Sequence, residues 1–193
     1  MGPCLSIGAG VSALTLLLAG DTIALPQLLS ARAANVDIVL LLSAAYAPLT
    51  ARCFGGDALR MEATARRSLV GADAVLLIAL LAPVAIIAAI GAATNDANFG
   101  LDVVRNFAIF VAAALLLLTF AGPVTASTMP VVYLLVISLA GVNADGSSPW
   151  WALLRQPATA LMAALGVCVV AGALAAFHRW ARHRPGMEAA DIA

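Results

Sequence analysis

The stretch NFAIFVAAALLLLTFAGPVTASTMPVVYLLVISLAGVNA, residues 106–144, decides the fold because it runs for 39 positions without a charged side chain. One helix of that length would extend about 58 Å, at about 1.5 Å per residue, whereas the hydrocarbon core of a bilayer is about 30 Å thick. The stretch must therefore turn back on itself. Gly122 and Pro123 favour a turn, so we predict two membrane-spanning helices, at residues 106–121 and 124–142.

Four more apolar segments flank this central stretch, at residues 4–20, 36–50, 74–94 and 158–177. The segment 36–50 is short for a bilayer crossing and carries Asp37 near its start, so its ends must lie close to the membrane surfaces. The sequence thus predicts an all-α fold, a polytopic membrane helix bundle with six transmembrane helices, in a single transmembrane domain over residues 1–193. Five spans would result if one of the first two segments lay in the interface.

The overall composition excludes several other classes of protein. The chain is 63% hydrophobic and only 10% charged, with a mean hydropathy of +1.03, whereas a soluble domain is about 45–50% apolar and about 25% charged. A soluble protein of this size could not bury so much apolar surface. The net charge is zero, so the chain has no excess of positive charge that would attract nucleic acid. The three cysteines are scattered and form neither a disulfide framework nor a metal-binding spacing.

The arginines predict how the bundle is oriented, because cytoplasmic loops accumulate Lys and Arg. Placing both termini in the cytoplasm puts seven of the ten basic residues, all arginines, in the loop 51–70 and the tail 178–193. The other three, Arg32, Arg105 and Arg155, would then lie outside. The lysine-free, alanine-rich composition is typical of bacterial genes with a high GC content. We therefore expect a multi-pass protein of the bacterial inner (plasma) membrane.

Few residues in the predicted spans could carry chemistry. No metalloprotease, hydrolase or P-loop motif occurs, so we expect no enzyme activity, no catalytic residue, no metal site and no cofactor in this chain. Asp37, Asp73 and Arg105 lie at predicted span ends, where interfacial anchoring competes with a functional role for each charge. Trp150 and Trp151 precede the last span and are expected to anchor it at the headgroup level. Gly8 and Gly10 indicate close helix packing.

The loop after the second segment reads RCFGGDALRMEATARRS, residues 52–68, and is the most informative polar stretch. Asp57 can cap a helix, and the order of charges that follows agrees with the helix dipole. One interpretation is a docking helix for a cytoplasmic partner, and the other is a solvated extension of the third span. On the first interpretation the residues that contact the partner are Asp57, Arg60, Glu62, Arg66 and Arg67.

Four short strings stand out along the chain: EATARRS at 62–68, RNF at 105–107, PVVY at 130–133 and the tryptophan pair at 150–151. Together they resemble small bacterial permease subunits of ABC transporters of the exporter type, of the kind found in actinobacteria. The resemblance implies that six helices form one half of a permease dimer and that residues 57–67 dock on a separate ATPase subunit, which would hold ATP and Mg²⁺. The implied partners are this ATPase, a second permease subunit and the lipid bilayer.

Three functions therefore follow as hypotheses. The first is a permease subunit of an ATP-driven ABC transporter, of the exporter type by the resemblance alone. The second is an integral ligand-binding subunit of an uptake system, because such subunits also have about six helices. The third is a non-transporting structural or assembly subunit of a larger membrane complex.

Overall fold

The chain is mostly helical in a computed structural model that describes residues 2–18, 21–26, 33–54, 70–94, 97–141, 148, 152, 154 and 159–182. Two short strands and seven helices are assigned within these ranges. In chain order the elements are α1 (Gly2–Leu17), β1 (Thr22–Pro26), β2 (Ala33–Asp37), α2 (Ile38–Ala44), α3 (Tyr46–Phe54), α4 (Val70–Thr94), α5 (Ala97–Phe120), α6 (Gly122–Ala140) and α7 (Ala160–Arg182). Only Ala45 separates α2 from α3, so six helical segments lie where the sequence predicts six spans.

Helix α5 is the centre of the bundle. It packs against α2, α3, α4, α6 and α7. In its most apolar stretch of 18 residues, 67% of the residues are buried, compared with 28% in the corresponding stretch of α6. Its buried side chains are mostly small or branched apolar residues, which allow neighbouring helices to approach closely. Helix α5 lies close to α7, where a Cβ added to Gly166 would lie 3.2 Å from Cβ of Ala108.

The turn between α5 and α6 lies where the Gly-Pro pair predicts it. Helix α5 ends at Phe120, Ala121 forms the turn, and α6 begins at Gly122. Gly122 has a φ of +84°, a left-handed conformation that glycine adopts without the penalty of a Cβ. Pro123 occupies the first turn of α6, where its missing N–H costs nothing. These two residues allow α5 and α6 to follow each other with a one-residue connection.

The short strands β1 and β2 form an antiparallel hairpin that the all-α prediction does not include. Thr22 pairs with Asp37, and Pro26 pairs with Ala33. The predicted span 36–50 therefore needs correction, because Val36 and Asp37 belong to β2 and the helix begins only at Ile38. The hairpin satisfies backbone groups of the connection from α1 to α2 without a helix.

Helices α2 and α3 form one apolar segment that is interrupted at Ala45. Pro48 has no backbone N–H and cannot donate to the carbonyl group of Ala44, which lies four residues earlier. The backbone responds by shortening a turn, since the N–H of Ala45 donates to the carbonyl of Leu42 at 3.1 Å. The interruption allows Tyr46 and Ala47 to be completely buried on neighbouring faces of α3.

Two helices of the described residues are long and apolar enough to cross a membrane, Phe99–Phe120 and Gly122–Ala140. Shorter apolar helical stretches lie at Ser6–Thr15, Ile38–Phe54, Ala74–Ile90 and Leu165–Phe177. Large apolar side chains are exposed on several helices, among them Phe120 at 80% and Leu17 at 78%. Apolar surface on the outside of a helix bundle is what a protein in contact with lipid presents.

The buried apolar side chains form two clusters. The first joins helices α2 to α7 and contains Tyr46, Phe54, Leu80, Phe107 and Phe177. The second joins β2, α2, α3, α5 and α6 to residues 152 and 154, and contains Val36, Leu40, Phe110, Ile137 and Leu154. Helices α2, α3, α5 and α6 contribute to both clusters and hold them together.

Candidate functional site

The most unusual side chain in the core is Arg105, which is 3% exposed within the central helix. Helix α5 begins at Ala97, eight residues before Arg105, and continues without a further charge to Phe120. The sequence analysis placed Arg105 at the end of a span that began at residue 106. The structure instead places it more than two turns inside a longer helix, because the helix extends through Asp102 and Arg105 without interruption.

Among the described residues, acceptors of three different kinds lie around the guanidinium group of Arg105. Its Nε and Nη2 atoms donate to Oδ1 of Asn106 at 3.1 and 3.0 Å. Nη2 also donates to the backbone carbonyl of Leu154 at 3.0 Å and lies 3.2 Å from Oδ1 of Asp102. We call Asp102, Arg105, Asn106 and Leu154 the arginine cluster.

The electrostatics of this cluster explain how an apolar helix can tolerate the charge. An isolated buried charge costs several kcal/mol, and the cost falls when the charge is paired and hydrogen-bonded. Asp102 lies one turn before Arg105 and is 37% exposed, while Arg105 is buried. The carboxylate therefore reaches solvent or headgroups while it neutralises a charge in the interior. Asn106 is itself 5% exposed, so its amide oxygen is an acceptor inside the core.

A second polar set connects α1 to α3. Oη of Tyr46 donates to the carbonyl of Gly8 at 3.0 Å and lies 2.6 Å from Oγ of Ser12. Because Tyr46 donates its single hydroxyl proton to the Gly8 carbonyl, Ser12 must be the donor in its hydrogen bond with Oη of Tyr46. The ring of Tyr46 packs edge-on against Phe107 with ring centroids 4.6 Å apart. Helix α1 is therefore fixed to the core by hydrogen bonds as well as by apolar contacts.

Gly8 and Gly10 differ in their surroundings. A Cβ at Gly8 would meet Cδ1 of Leu80 at 3.1 Å and Cδ2 of Leu49 at 3.4 Å, whereas one at Gly10 would meet nothing within 4 Å. The prediction of close packing is confirmed for Gly8. It is wrong for Gly10, which lies on the exposed side of α1.

The other residues predicted from the sequence lie in different places. Asp37 is exposed and ends β2 next to the start of α2, where its side chain makes no capping hydrogen bond. Asp73 lies in the first turn of α4, and its side chain is outside the described part of the chain. Two groups of predicted residues lie outside the described part of the chain. They are the charged loop residues Asp57, Arg60, Glu62, Arg66 and Arg67, and the pair Trp150 and Trp151.

Sequence reasoning named Arg105 but missed its partners. The Asp102–Arg105 spacing of three residues was a signal, because residues at i and i+3 lie on one helix face. The Leu154 carbonyl is 49 residues away from Arg105, and no local pattern indicates it. Within the described residues no group of three or more His, Cys, Asp and Glu side chains could hold a metal ion.

An apolar groove of about 420 Å³ lies between α4 and α7. It is lined by aliphatic side chains alone, among them Leu77, Leu81, Val170 and Leu174. Such a groove offers no hydrogen bond to a polar ligand. It therefore suits hydrocarbon, and the polar chemistry of the described residues is concentrated at the arginine cluster.

The fold and the cluster define a class: a mostly helical chain with two helices capable of crossing a membrane and a neutralised arginine inside one of them. Comparison with known protein families, with curated proteins and with solved structures gives no match to this chain.

Proposed function

We propose that this chain is a multi-pass protein of a bacterial inner membrane and serves as a permease subunit of an ATP-driven ABC transporter of the exporter type. In this proposal all six helical segments cross the bilayer and both termini lie in the cytoplasm. A second permease subunit completes the pathway, and a separate ATPase subunit supplies the energy. The resemblance of the short sequence strings supports the family, and the helical architecture is compatible with it.

The observation that carries the transport class is Arg105, which is buried in the central helix. Ionisable residues within membrane helices are rare because burying a charge in hydrocarbon is costly in free energy. They typically mark substrate pathways or the groups that couple an energy source to substrate movement. A purely structural subunit could replace Arg105 by leucine and avoid the desolvation cost. An arginine that is buried at the centre of the bundle and held by its own partners favours a protein whose interior changes conformation during transport.

The coupling part of the proposal concerns the segment 57–67. Its charges would meet a soluble ATPase in contacts accessible to water. Each such exposed pair contributes about 0.2–1 kcal/mol, and a desolvated charged pair can cost about 2–5 kcal/mol when one partner is lost. Glu62→Arg places a third positive charge beside Arg66 and Arg67 and removes an acceptor for a partner's donors. It should therefore weaken docking without changing the helices that hold the fold.

The experiment is co-purification of the tagged chain with its ATPase from membranes, followed by ATPase turnover in proteoliposomes. We expect Glu62→Arg to insert at the level of the unchanged protein but to lose the ATPase and its stimulation. The matched control is Asp21→Arg, the same charge reversal at an exposed residue before β1, on the predicted opposite side of the membrane. Normal co-purification and turnover of Glu62→Arg would remove the support for a coupling helix.

A further inference from the structure

The apolar groove between α4 and α7 lies on the outside of the bundle, and both helices pack against α5. Its volume is about 420 Å³. The lining residues Leu77 and Val170 are buried and form its floor, whereas Ile78 and Val167, which are 66% and 54% exposed, form its rim. The groove is therefore open to whatever surrounds the bundle.

We propose that this groove binds one acyl chain of an anionic phospholipid from the cytoplasmic leaflet, with the lipid phosphate at the level of the arginines at the end of α7. Such a site rests on the membrane topology in the proposed function, because that topology places the end of α7 in the cytoplasm. It needs neither the ATPase nor a transported substrate, and it goes beyond the transport function.

The lining of the groove suits a hydrocarbon chain. Every lining residue among the described ones is aliphatic, so a ligand gains van der Waals contacts there and no hydrogen bonds. Ala82 and Ala171 line the groove from its two sides and are exposed. Their single methyl groups leave room that leucine side chains at the same positions would fill. Substitution of these two alanines should therefore close the groove.

The length of the groove distinguishes an acyl chain from a helix of another subunit. On α4 the lining runs from Ala74 to Ala85, which is about 16–17 Å at about 1.5 Å per residue. The hydrocarbon core of a bilayer is about 30 Å thick, so one leaflet contributes about 15 Å. A membrane-spanning helix of a second copy would need a surface of about twice that length. The groove therefore fits the acyl chain of one leaflet.

Helix α7 ends at the same end of the bundle as α3. The ring of Phe177 packs edge-on against Phe54, the last residue of α3, with ring centroids 6.2 Å apart. In the proposed topology the connection from α3 to α4 is cytoplasmic, and so is the chain that follows α7. Ala74 and Leu174 are the described lining residues nearest to these two segments. They place one end of the groove on the cytoplasmic side.

The sequence is rich in arginine beyond this end of the groove. Arg179 and Arg182 follow Leu174 by five and eight residues within α7. Arg66 and Arg67 precede α4. Five residues of helix extend about 7–8 Å, which leads from the hydrocarbon into the headgroup layer, since a whole bilayer is about 40–45 Å thick. Arginines next to membrane helices on the cytoplasmic side attract anionic lipids. The charge of the chain therefore favours an anionic headgroup over a zwitterionic one.

The test is native mass spectrometry of the purified chain in detergent. The chain is titrated with phosphatidylglycerol, which is anionic, or with phosphatidylethanolamine, which is zwitterionic, both with the same acyl chains. We expect the first bound phosphatidylglycerol to have a Kd about fivefold lower or more, the ratio that one basic residue near the membrane surface provides. The measurement needs no ATPase, so its failure would leave the proposed transport function standing, and a loss of ATPase coupling would leave the lipid site standing.

Substitutions in the groove test where the acyl chain binds. Ala82→Leu/Ala171→Leu should raise the Kd for both lipids about fivefold or more, because the acyl chain loses its van der Waals contacts. The matched control is Ala89→Leu/Ala175→Leu, the same change at exposed alanines of the same two helices that do not line the groove, and it should leave both Kd values unchanged. If the double variant does not fold, Ala82→Leu and Ala171→Leu are measured separately.

A further variant tests the headgroup alone. Arg179→Gln/Arg182→Gln keeps the groove and should raise the Kd for phosphatidylglycerol to the value for phosphatidylethanolamine. Equal Kd values of the unchanged chain for the two lipids would overturn the proposal, and so would groove substitutions that act no more strongly than their controls. Loss of a dimer instead of loss of lipid in the groove variant would assign the groove to a second copy of the chain and would equally overturn the lipid site.

Discussion

At the scale of single residues, Tyr46 contributes to the bundle through two different properties. Its hydroxyl reaches Ser12 and the carbonyl of Gly8, while its ring packs edge-on against Phe107. Both depend on complete burial between α1 and α5. Inter-helix hydrogen bonds inside membrane proteins contribute about 0.6 kcal/mol on average and up to about 1.7 kcal/mol. Tyr46 should therefore show a measurable hydroxyl contribution without being essential for folding.

A double-mutant cycle measures that contribution. Tyr46→Phe removes the hydroxyl and keeps the ring against Phe107, and Ser12→Ala removes the neighbouring hydroxyl. We expect each single variant to be destabilised by about 1 kcal/mol, and the double variant to lose less than the sum of both because the two share one hydrogen bond. The measurement is unfolding in mixed micelles with increasing SDS. Strict additivity would show that the Ser12–Tyr46 bond contributes nothing.

Thr50 is a residue whose substitution should increase the stability of the protein instead of lowering it. Its Oγ1 is fully buried and has no hydrogen-bond partner among the described residues. Thr119 is also buried, but its Oγ1 donates to the carbonyl of Leu115 at 2.8 Å. Because an unsatisfied buried hydroxyl costs about 1–3 kcal/mol, Thr50→Val should stabilise the protein by about 1 kcal/mol. Thr119→Val is the matched control and should be neutral or slightly destabilising in the same unfolding experiment. A destabilised Thr50→Val would mean that this hydroxyl has a partner.

Asp37 tests whether an exposed charge near the membrane has a function. The carboxylate is exposed and makes no cap to α2, so Asp37→Asn keeps the shape and removes only a solvated charge. We expect insertion, yield and the proposed transport activity to stay close to those of the unchanged protein, measured in membranes and proteoliposomes. A large loss of activity with normal insertion would give Asp37 a functional role.

At the scale of secondary-structure elements, α1 depends on one glycine for its position. The space at Gly8 is closed by Leu80, Leu49 and Tyr46, whereas the space at Gly10 is open. Gly8→Val should therefore push α1 away from α3 and α4 and lower the free energy of unfolding by about 1–3 kcal/mol, the usual cost of overpacking. Gly10→Val has the same intrinsic effect on the helix and is the control. Equal stability of the two variants would contradict the packing described for α1.

The elements also show which features could be predicted from the sequence. The turn at Gly122 was predictable because a Gly-Pro pair inside a long apolar stretch has few other uses. The start of α5 was not, because the charge of Arg105 suggested the end of a span, whereas Asp102 pairs with it inside the helix. The β-hairpin escaped prediction because its strands have five residues each and no alternation strong enough to compete with the adjacent helices.

The partners of Arg105 could not be predicted for a different reason. Burial of a charge depends on acceptors brought together by the whole fold, and the Leu154 carbonyl comes from a segment 49 residues away. A backbone acceptor carries no signature in the side-chain sequence. The sequence therefore identified the residue of interest but placed it in the interface, while the fold places it in the core.

At the scale of the whole molecule, the bundle is built around one buried helix whose charge is neutralised internally and whose neighbours present apolar surface outward. Leu17, Val75, Ile78, Phe120 and Val124 are all more than half exposed. In water this surface would be costly, at about 25 cal/mol per Å² of exposed apolar area. In a bilayer the same surface costs little, so the proposed six-span arrangement accounts for it.

Cysteine-accessibility labelling in intact cells tests this central claim most directly. In a variant without native cysteines, Cys4→Ala/Cys53→Ala/Cys168→Ala, single cysteines are introduced by Arg66→Cys, in the loop 51–70, and by Ser147→Cys, in the connection between α6 and α7. A membrane-impermeant maleimide should label position 147 in intact cells and position 66 only after the membrane has been opened, with a C-terminal cysteine behaving like position 66. Labelling of positions 66 and 147 from the same side of the membrane would contradict the six-span bundle with both termini in the cytoplasm.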